Sequence, residues 1–111
     1  MFEMNWEIRM LMEEYFKEAS EALKNSNEKI LNALKDVYSK AIELTCREQC
    51  GLYMPINMFL RWVKSGFIND YDGLARAIDA DGNRIGTTHC SFAHVDEMVR
   101  KGAKFIAWYN K

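Results

Sequence analysis

The first fifty residues contain neither proline nor glycine; the single proline is Pro55 and the first of six glycines is Gly51. With nothing to interrupt backbone hydrogen bonding, that half reads as helix. Long apolar runs are missing as well. No stretch approaching about 18 residues is free of charge, so no transmembrane helix is expected. Nor does either sign of charge dominate: 15 Lys/Arg stand against 16 Asp/Glu, a net of −1. Residues 1–52 hold 7 Lys/Arg against 10 Asp/Glu, and residues 53–111 hold 8 against 6. Neither half has the basic excess of a phosphate-backbone binder, which disfavours generic nucleic-acid binding. Cysteine is sparse and odd in number, at three. Glu3, Glu7, Glu13, Glu14 and Glu18 occupy the first twenty residues, where a secretory or mitochondrial leader would carry cations. The expectation is a cytoplasmic chain with reduced thiols and no membrane association.

What is present is material for a packed core. The chain is 49% hydrophobic, with 6 Phe, 5 Tyr and 3 Trp, more than a disordered chain carries. Its 111 residues suit one compact unit. Within the first fifty, apolar residues recur every eleven positions. The rows are Met4, Tyr15, Ser26, Val37; Ile8, Ala19, Ile30, Ala41; Leu11, Ala22, Ala33, Leu44; and Met12, Leu23, Leu34. Eleven residues in three turns is about 3.67 per turn, so the rows hold one face of a helix, with only Ser26 polar. Two architectures fit. One is an unbroken helix from about residue 4 to 47, roughly 65 Å long, which needs a homo-oligomer to cover its stripe. The other is a helical hairpin turning at Lys24-Asn25-Ser26-Asn27-Glu28, with Asn25 or Asn27 capping the second helix.

The remaining residues read as smaller elements. Tyr53-Met54-Pro55 closes the helical region, and Ile56–Ser65 is a short amphipathic helix stopped by Gly66. Asn69–Gly73 is a turn cluster. Leu74–Ile78 and Arg84–Thr88 alternate as strands around an Asp81-Gly82 turn. Phe92–Gly102 reads as a helix with Ser91 as N-cap, and Phe105–Tyr109 as a third strand pairing back onto the hairpin. The fold class is α+β: a 1–50 helical, oligomerising region and a 51–111 α+β head.

Several residue groups bear on chemistry. Cys46 and Cys50 lie one helical turn apart, as do Cys90 and His94, with His89 adjacent. Four such ligands would suit tetrahedral zinc, although zinc modules generally use tighter spacings, and packed thiols are the plainer reading. Cys90 beside His89 or His94 could make an activated nucleophile, but nothing marks an oxyanion hole. Asp79, Asp81 and Asn83 are spaced like part of a calcium loop, yet Gly82 falls too early and no closing Glu follows, so they read as a turn. No phosphate-binding glycine loop or catalytic signature is present, and neither an enzyme nor a cofactor is expected.

Cys46-Arg47-Glu48-Gln49-Cys50-Gly51 followed by Phe59-Leu60-Arg61-Trp62-Val63-Lys64-Ser65-Gly66 resembles the helix-turn-helix of phage excisionases and the mercury-regulator group. In those families a recognition helix ends in such a run before a β-hairpin wing. The resemblance spans residues 45–68. It implies a winged-helix DNA binder acting through Arg61, Lys64 and Arg84. This chain departs from the pattern in offering only two cations on that helix and an acidic wing at Asp70, Asp72, Asp79 and Asp81. The plainer reading makes Met58, Phe59, Trp62 and Val63 a core stripe.

The leading expectation is therefore a non-catalytic binding protein, oligomeric through its N-terminal helix. Phage or mobile-element accessory proteins, such as inhibitors of host defence, are often of this class. Its head would recognise a protein or a small anionic ligand through Arg76, Arg84, Arg100 and Lys101. Arg76 and Arg84 flank the Asp81-Gly82 turn and would sit close together in a tight register.

Overall fold

A computed structural model describes residues 6–49, 51–68, 73–88 and 92–110. Two helices open the chain, α1 (Trp6–Lys24) and α2 (Glu28–Glu48). Then come β1 (Leu52–Pro55), α3 (Ile56–Lys64), β2 (Gly73–Ile78), β3 (Arg84–Thr88), α4 (Phe92–Arg100) and β4 (Phe105–Asn110). The α+β class holds, and no helix among the described residues is long and apolar enough to cross a membrane.

The hairpin, not the unbroken helix, is the arrangement of the N-terminal half. The eleven-residue rows break at their one polar member, Ser26, which takes the left-handed conformation at φ 51°. The Ser26 N–H donates to the Leu23 carbonyl at 3.1 Å and the Asn27 N–H to the Ala22 carbonyl at 2.9 Å, which satisfies the carbonyls left open at the end of α1. Asn27 then caps α2, its side-chain oxygen accepting from the Ile30 N–H at 3.1 Å. Ile8, Leu11, Ala19 and Ala22 of α1 and Ala41 and Leu44 of α2 are buried. A helix of roughly 65 Å would have left that stripe bare; the molecule measures 38 × 37 × 28 Å. The expectation of an oligomer that rested on the long helix loses that premise.

The same helix-ending device recurs with glycine in the left-handed position. After α3, Gly66 (φ 82°) lets the Phe67 N–H reach the Trp62 carbonyl. After α4, Gly102 (φ 107°) lets the Ala103 N–H reach the Met98 carbonyl. Both are the stops read from sequence.

The four strands form one antiparallel sheet in the order β1-β4-β2-β3. The hairpin β2–β3 and the return of β4 match expectation; β1 does not. Leu52, Tyr53, Met54 and Pro55 pair with Trp108, Ala107, Ile106 and Phe105, where the sequence reading ended a helical region. All four are buried, as are Phe105 to Trp108 opposite them. Both faces of β1 and β4 are covered, so neither strand shows the alternation that betrays a half-exposed one. Met98 of α4 packs against β3 so closely that a Cβ on Gly86 would stand 3.0 Å from its sulfur. At Gly82 (φ 93°) a Cβ would meet Leu44 Cδ2 at 2.7 Å and the Arg47 guanidinium at 2.5 Å, so this turn needs glycine for both conformation and space.

β1 is an edge strand, and α2 covers the edge. Buried Thr45 donates its hydroxyl to the Ala41 carbonyl at 2.8 Å and accepts from the Tyr53 N–H at 3.1 Å. Replacing Thr45 with Val keeps the shape and leaves that buried N–H without an acceptor. The expected loss is about 1–3 kcal/mol of unfolding free energy in urea titration, with Thr45→Ser retaining most of it. Equal stability of the Val variant would show that the hydroxyl is dispensable.

Candidate functional site

Among the described residues, an extended set of polar side chains in the interior joins three helices. Glu14 and Glu18 lie one turn apart on α1, and Leu11 and Ala22 of the buried stripe continue the same row. They therefore face inward. α3 presents Arg61 and Trp62 to them, and α2 presents Tyr38. Arg61 Nη2 donates to Glu14 Oε2 at 2.8 Å and Nη1 donates to Glu18 Oε1 at 2.9 Å. The Tyr38 hydroxyl donates to Glu18 Oε2 at 2.5 Å and the Trp62 indole N–H to Glu14 Oε1 at 3.3 Å. Lys17 adds a longer ion pair to Glu14 at 3.6 Å.

These contacts fix the ionisation of the group. Burial works against the charge on Glu14, but the hydrogen bonds from Arg61 and Trp62, with the field of Arg61, outweigh it and hold the carboxyl below its ordinary value of 4.5. Burial and the neighbouring Glu18 push the Tyr38 phenol well above its ordinary value. Arg61 is desolvated too, yet its acceptors raise its pKa further. Neither Glu14 nor Tyr38 exchanges a proton near neutrality. The cluster is an electrostatic clamp between α1 and α3.

Two pockets open on either side of it. One, of about 380 Å³, lies between α1 and the end of α3, with Trp62 and Phe67 stacked edge to face at 5.0 Å. The other, of about 280 Å³, lies where the hairpin, the start of α3 and the residues after α4 meet, with Glu18 and Tyr38 in its wall.

The residues singled out in the sequence are dispersed. Arg61 is engaged by the two carboxylates, while Lys64 is exposed on α3. Arg76 is half-buried and stands opposite Thr87; Arg84 stands opposite Ile78 across a bulge at Ala77/Ile78 and donates to Thr87 Oγ1 at 2.7 Å. The two arginines thus share a sheet face with Thr87 between them. Arg100 and exposed Lys101, paired with Glu97 at 3.4 Å, belong to the α4 end, on the side where Met98 meets Gly86. The four residues expected to form one recognition surface are divided between the two sides of the sheet. Asp79 accepts from the Asp81 and Asn83 N–H groups, both at 2.9 Å, and so closes its own turn. Of the cysteine–histidine group, Cys46 is exposed on α2 and His94 is exposed on α4; Cys50, His89 and Cys90 lie outside the described residues. Among the described residues no three His, Cys, Asp or Glu side chains converge on a metal position.

Glu14, Glu18 and Tyr38 escaped the sequence reading. A signal existed: two carboxylates at i, i+4 within a row of buried apolar residues are expensive unless a cation meets them. The chain matches no family model, no curated protein and no solved structure. The excisionase-like reading therefore stands on residues 45–68 alone.

Arg61→Met removes the charge and keeps part of the stem, which leaves Glu14 buried without its main partner. The expected cost is about 2–3 kcal/mol, less than for a fully buried pair because the Arg61 side chain is 40% exposed. A wild-type-like urea midpoint would contradict the clamp. Because Glu14 titrates lower folded than unfolded, its contribution is complete above the ordinary value of 4.5 and is lost as pH falls through the folded value. Glu14→Gln should flatten that acid limb of stability against pH.

Proposed function

We propose that this protein is a non-catalytic interaction protein that acts as a homo-oligomer, joined through the outer side of the α1–α2 hairpin. One observation carries the reading. After the fold has covered its core, that side still shows Phe16 at 57% and Leu23 at 63% exposure, in one row with Met12 beside a groove of about 240 Å³ against Ile42 of α2. Large apolar side chains left exposed along one row beside a groove mark interfaces.

A second copy of the chain fits the face. Both helices carry both signs around it, Arg9 and Glu13 on α1 and Lys35 and Glu43 on α2, all exposed. A two-fold interface sets a surface against itself, so a rim of one sign would repel its own copy and a mixed rim does not. Two helices about 30 Å long at a spacing of about 10 Å offer roughly 600 Å² per copy, near the lower bound for a stable pair. The product is a four-helix arrangement with the two sheets outermost. The cations away from this face, Arg84, Arg100 and Lys101 among them, remain available to an acidic partner. The exposed thiol of Cys46 suits a reducing cytoplasm.

Sedimentation equilibrium tests the reading. The wild-type chain should weigh twice its 13.0 kDa, and Phe16→Glu with Leu23→Glu should return it to monomer with an unchanged far-UV circular dichroism spectrum, since both side chains are exposed. A monomeric wild type, or a dimer indifferent to both changes, removes the interface.

A further inference from the structure

The pocket of about 280 Å³ beside the clamp has a chemistry of its own, independent of the interface above. Its wall is mainly aliphatic, with Leu34, Val37, Ile56 and Val99. Residues of opposite charge, Glu18 and Lys104, also line it, together with Asn57. Glu18 is the sheltered one, its side chain 25% exposed, whereas Lys104 and Asn57 are exposed.

Glu18 also has acceptor capacity left. A carboxylate offers about four lone-pair positions. Glu14 receives from Arg61, Trp62 and Lys17. Among the described residues, Glu18 receives from Arg61 and Tyr38. Arg61 is shared between the two carboxylates, and Lys17 pairs with Glu14. The Glu18 side is therefore the one short of positive charge, and it is the side that opens into the aliphatic pocket.

We propose that this pocket binds a free aliphatic α-amino acid. Its ammonium would sit on Glu18, its carboxylate towards Lys104 and Asn57, and its side chain among Leu34, Ile56 and Val99. The size agrees. A volume of about 280 Å³ lies at the lower end of small-molecule pockets, roughly 300–1,000 Å³, as suits a ligand the size of an amino acid. The polarity agrees as well: a plain cation would leave Lys104 facing it across the pocket, a plain anion would face Glu18, and a zwitterion satisfies both. The apolar part of the wall is aliphatic apart from Tyr38, which favours a branched alkyl side chain over a flat ring.

Titration of the full chain with L-leucine, followed by amide chemical shifts and by calorimetry, tests this. Leucine should bind in the millimolar range or tighter and shift amides of Leu34, Ile56, Asn57 and Val99. Leucinamide, which keeps the ammonium and imitates a peptide N-terminus, and 4-methylpentanoate, which keeps only the carboxylate, should each bind at least about tenfold more weakly, the worth of one charge-assisted contact. Lys104→Met should weaken leucine by a similar factor and leave leucinamide unchanged. Val99→Trp, at an exposed position, should block the pocket without touching the clamp. Absence of shifts with millimolar leucine overturns the proposal. Leucinamide binding as well as leucine would assign the pocket to a peptide N-terminus instead. Unchanged leucine binding in Val99→Trp would place the ligand elsewhere.

Discussion

Arg61 is the constraint on which the arrangement of the helices depends. α1 places Glu14 in the interior, where an unpaired carboxylate would cost several kcal/mol. Among the described residues, the guanidinium that reaches it stands 47 positions further along the chain. The hairpin therefore cannot seat itself independently of α3. Its docking needs the ion contacts to Arg61 and the Trp62 hydrogen bond to form with the burial of Leu11 and Trp62. A purely apolar contact would tolerate a slide of one helix along the other. A fork of two donors on two carboxylates one turn apart does not, because a shift of one turn would leave one carboxylate without its donor. The specificity of the packing is thus set by a few polar atoms, while most of the free energy comes from apolar burial around them.

A second set of polar contacts fixes the sheet. β1 is short and contributes an unprotected edge, the kind that invites pairing with foreign strands. α2 removes that hazard by lying along it, with the Thr45 hydroxyl taking the place of a neighbouring strand at Tyr53. Because α2 is bound to the edge and α1 to α3, the two halves distinguished by composition are one packing unit in space. Leu11, Tyr38 and Leu44 from the first fifty residues share a core with Phe59, Phe105 and Trp108.

Much of this was legible where a single residue type enforces a local geometry. Gly66 and Gly102 ended helices because the left-handed position after a helix suits glycine, and Asp81-Gly82 marked the hairpin. Where the outcome depended on a distant partner, local pattern failed. The eleven-residue rows ran in phase through residues 24–28 because each helix of the hairpin keeps its own stripe towards the core, and a short turn can carry the phase across. Ser26, the one polar member, was the trace of the break. β1 was hidden by burial on both faces, which erases alternation. Arg61 was legible as a cation on an amphipathic helix but not as one already neutralised, since its partners are 43 and 47 residues away. That Arg76 and Arg84 fall on one sheet face depended on a bulge that no turn signature announced.

Three sides of α1 are put to different uses, and this limits how the sequence can vary. Ile8, Leu11 and Ala22 face the core, Glu14 and Glu18 face α3, and Met12, Phe16 and Leu23 face outward. At about 100° per residue Glu14 and Glu18 continue the buried row on its α3 side, and the exposed row lies more than about 100° further round the helix. A substitution in the first sector is felt as lost packing, and one in the second as an uncompensated charge. One in the third leaves the monomer intact and is felt only by whatever meets that face. The exposed apolar row is the sector of α1 that the core leaves open: Leu23 faces solvent, and Phe16 rests its ring against Tyr15 at 5.5 Å while most of it stays exposed.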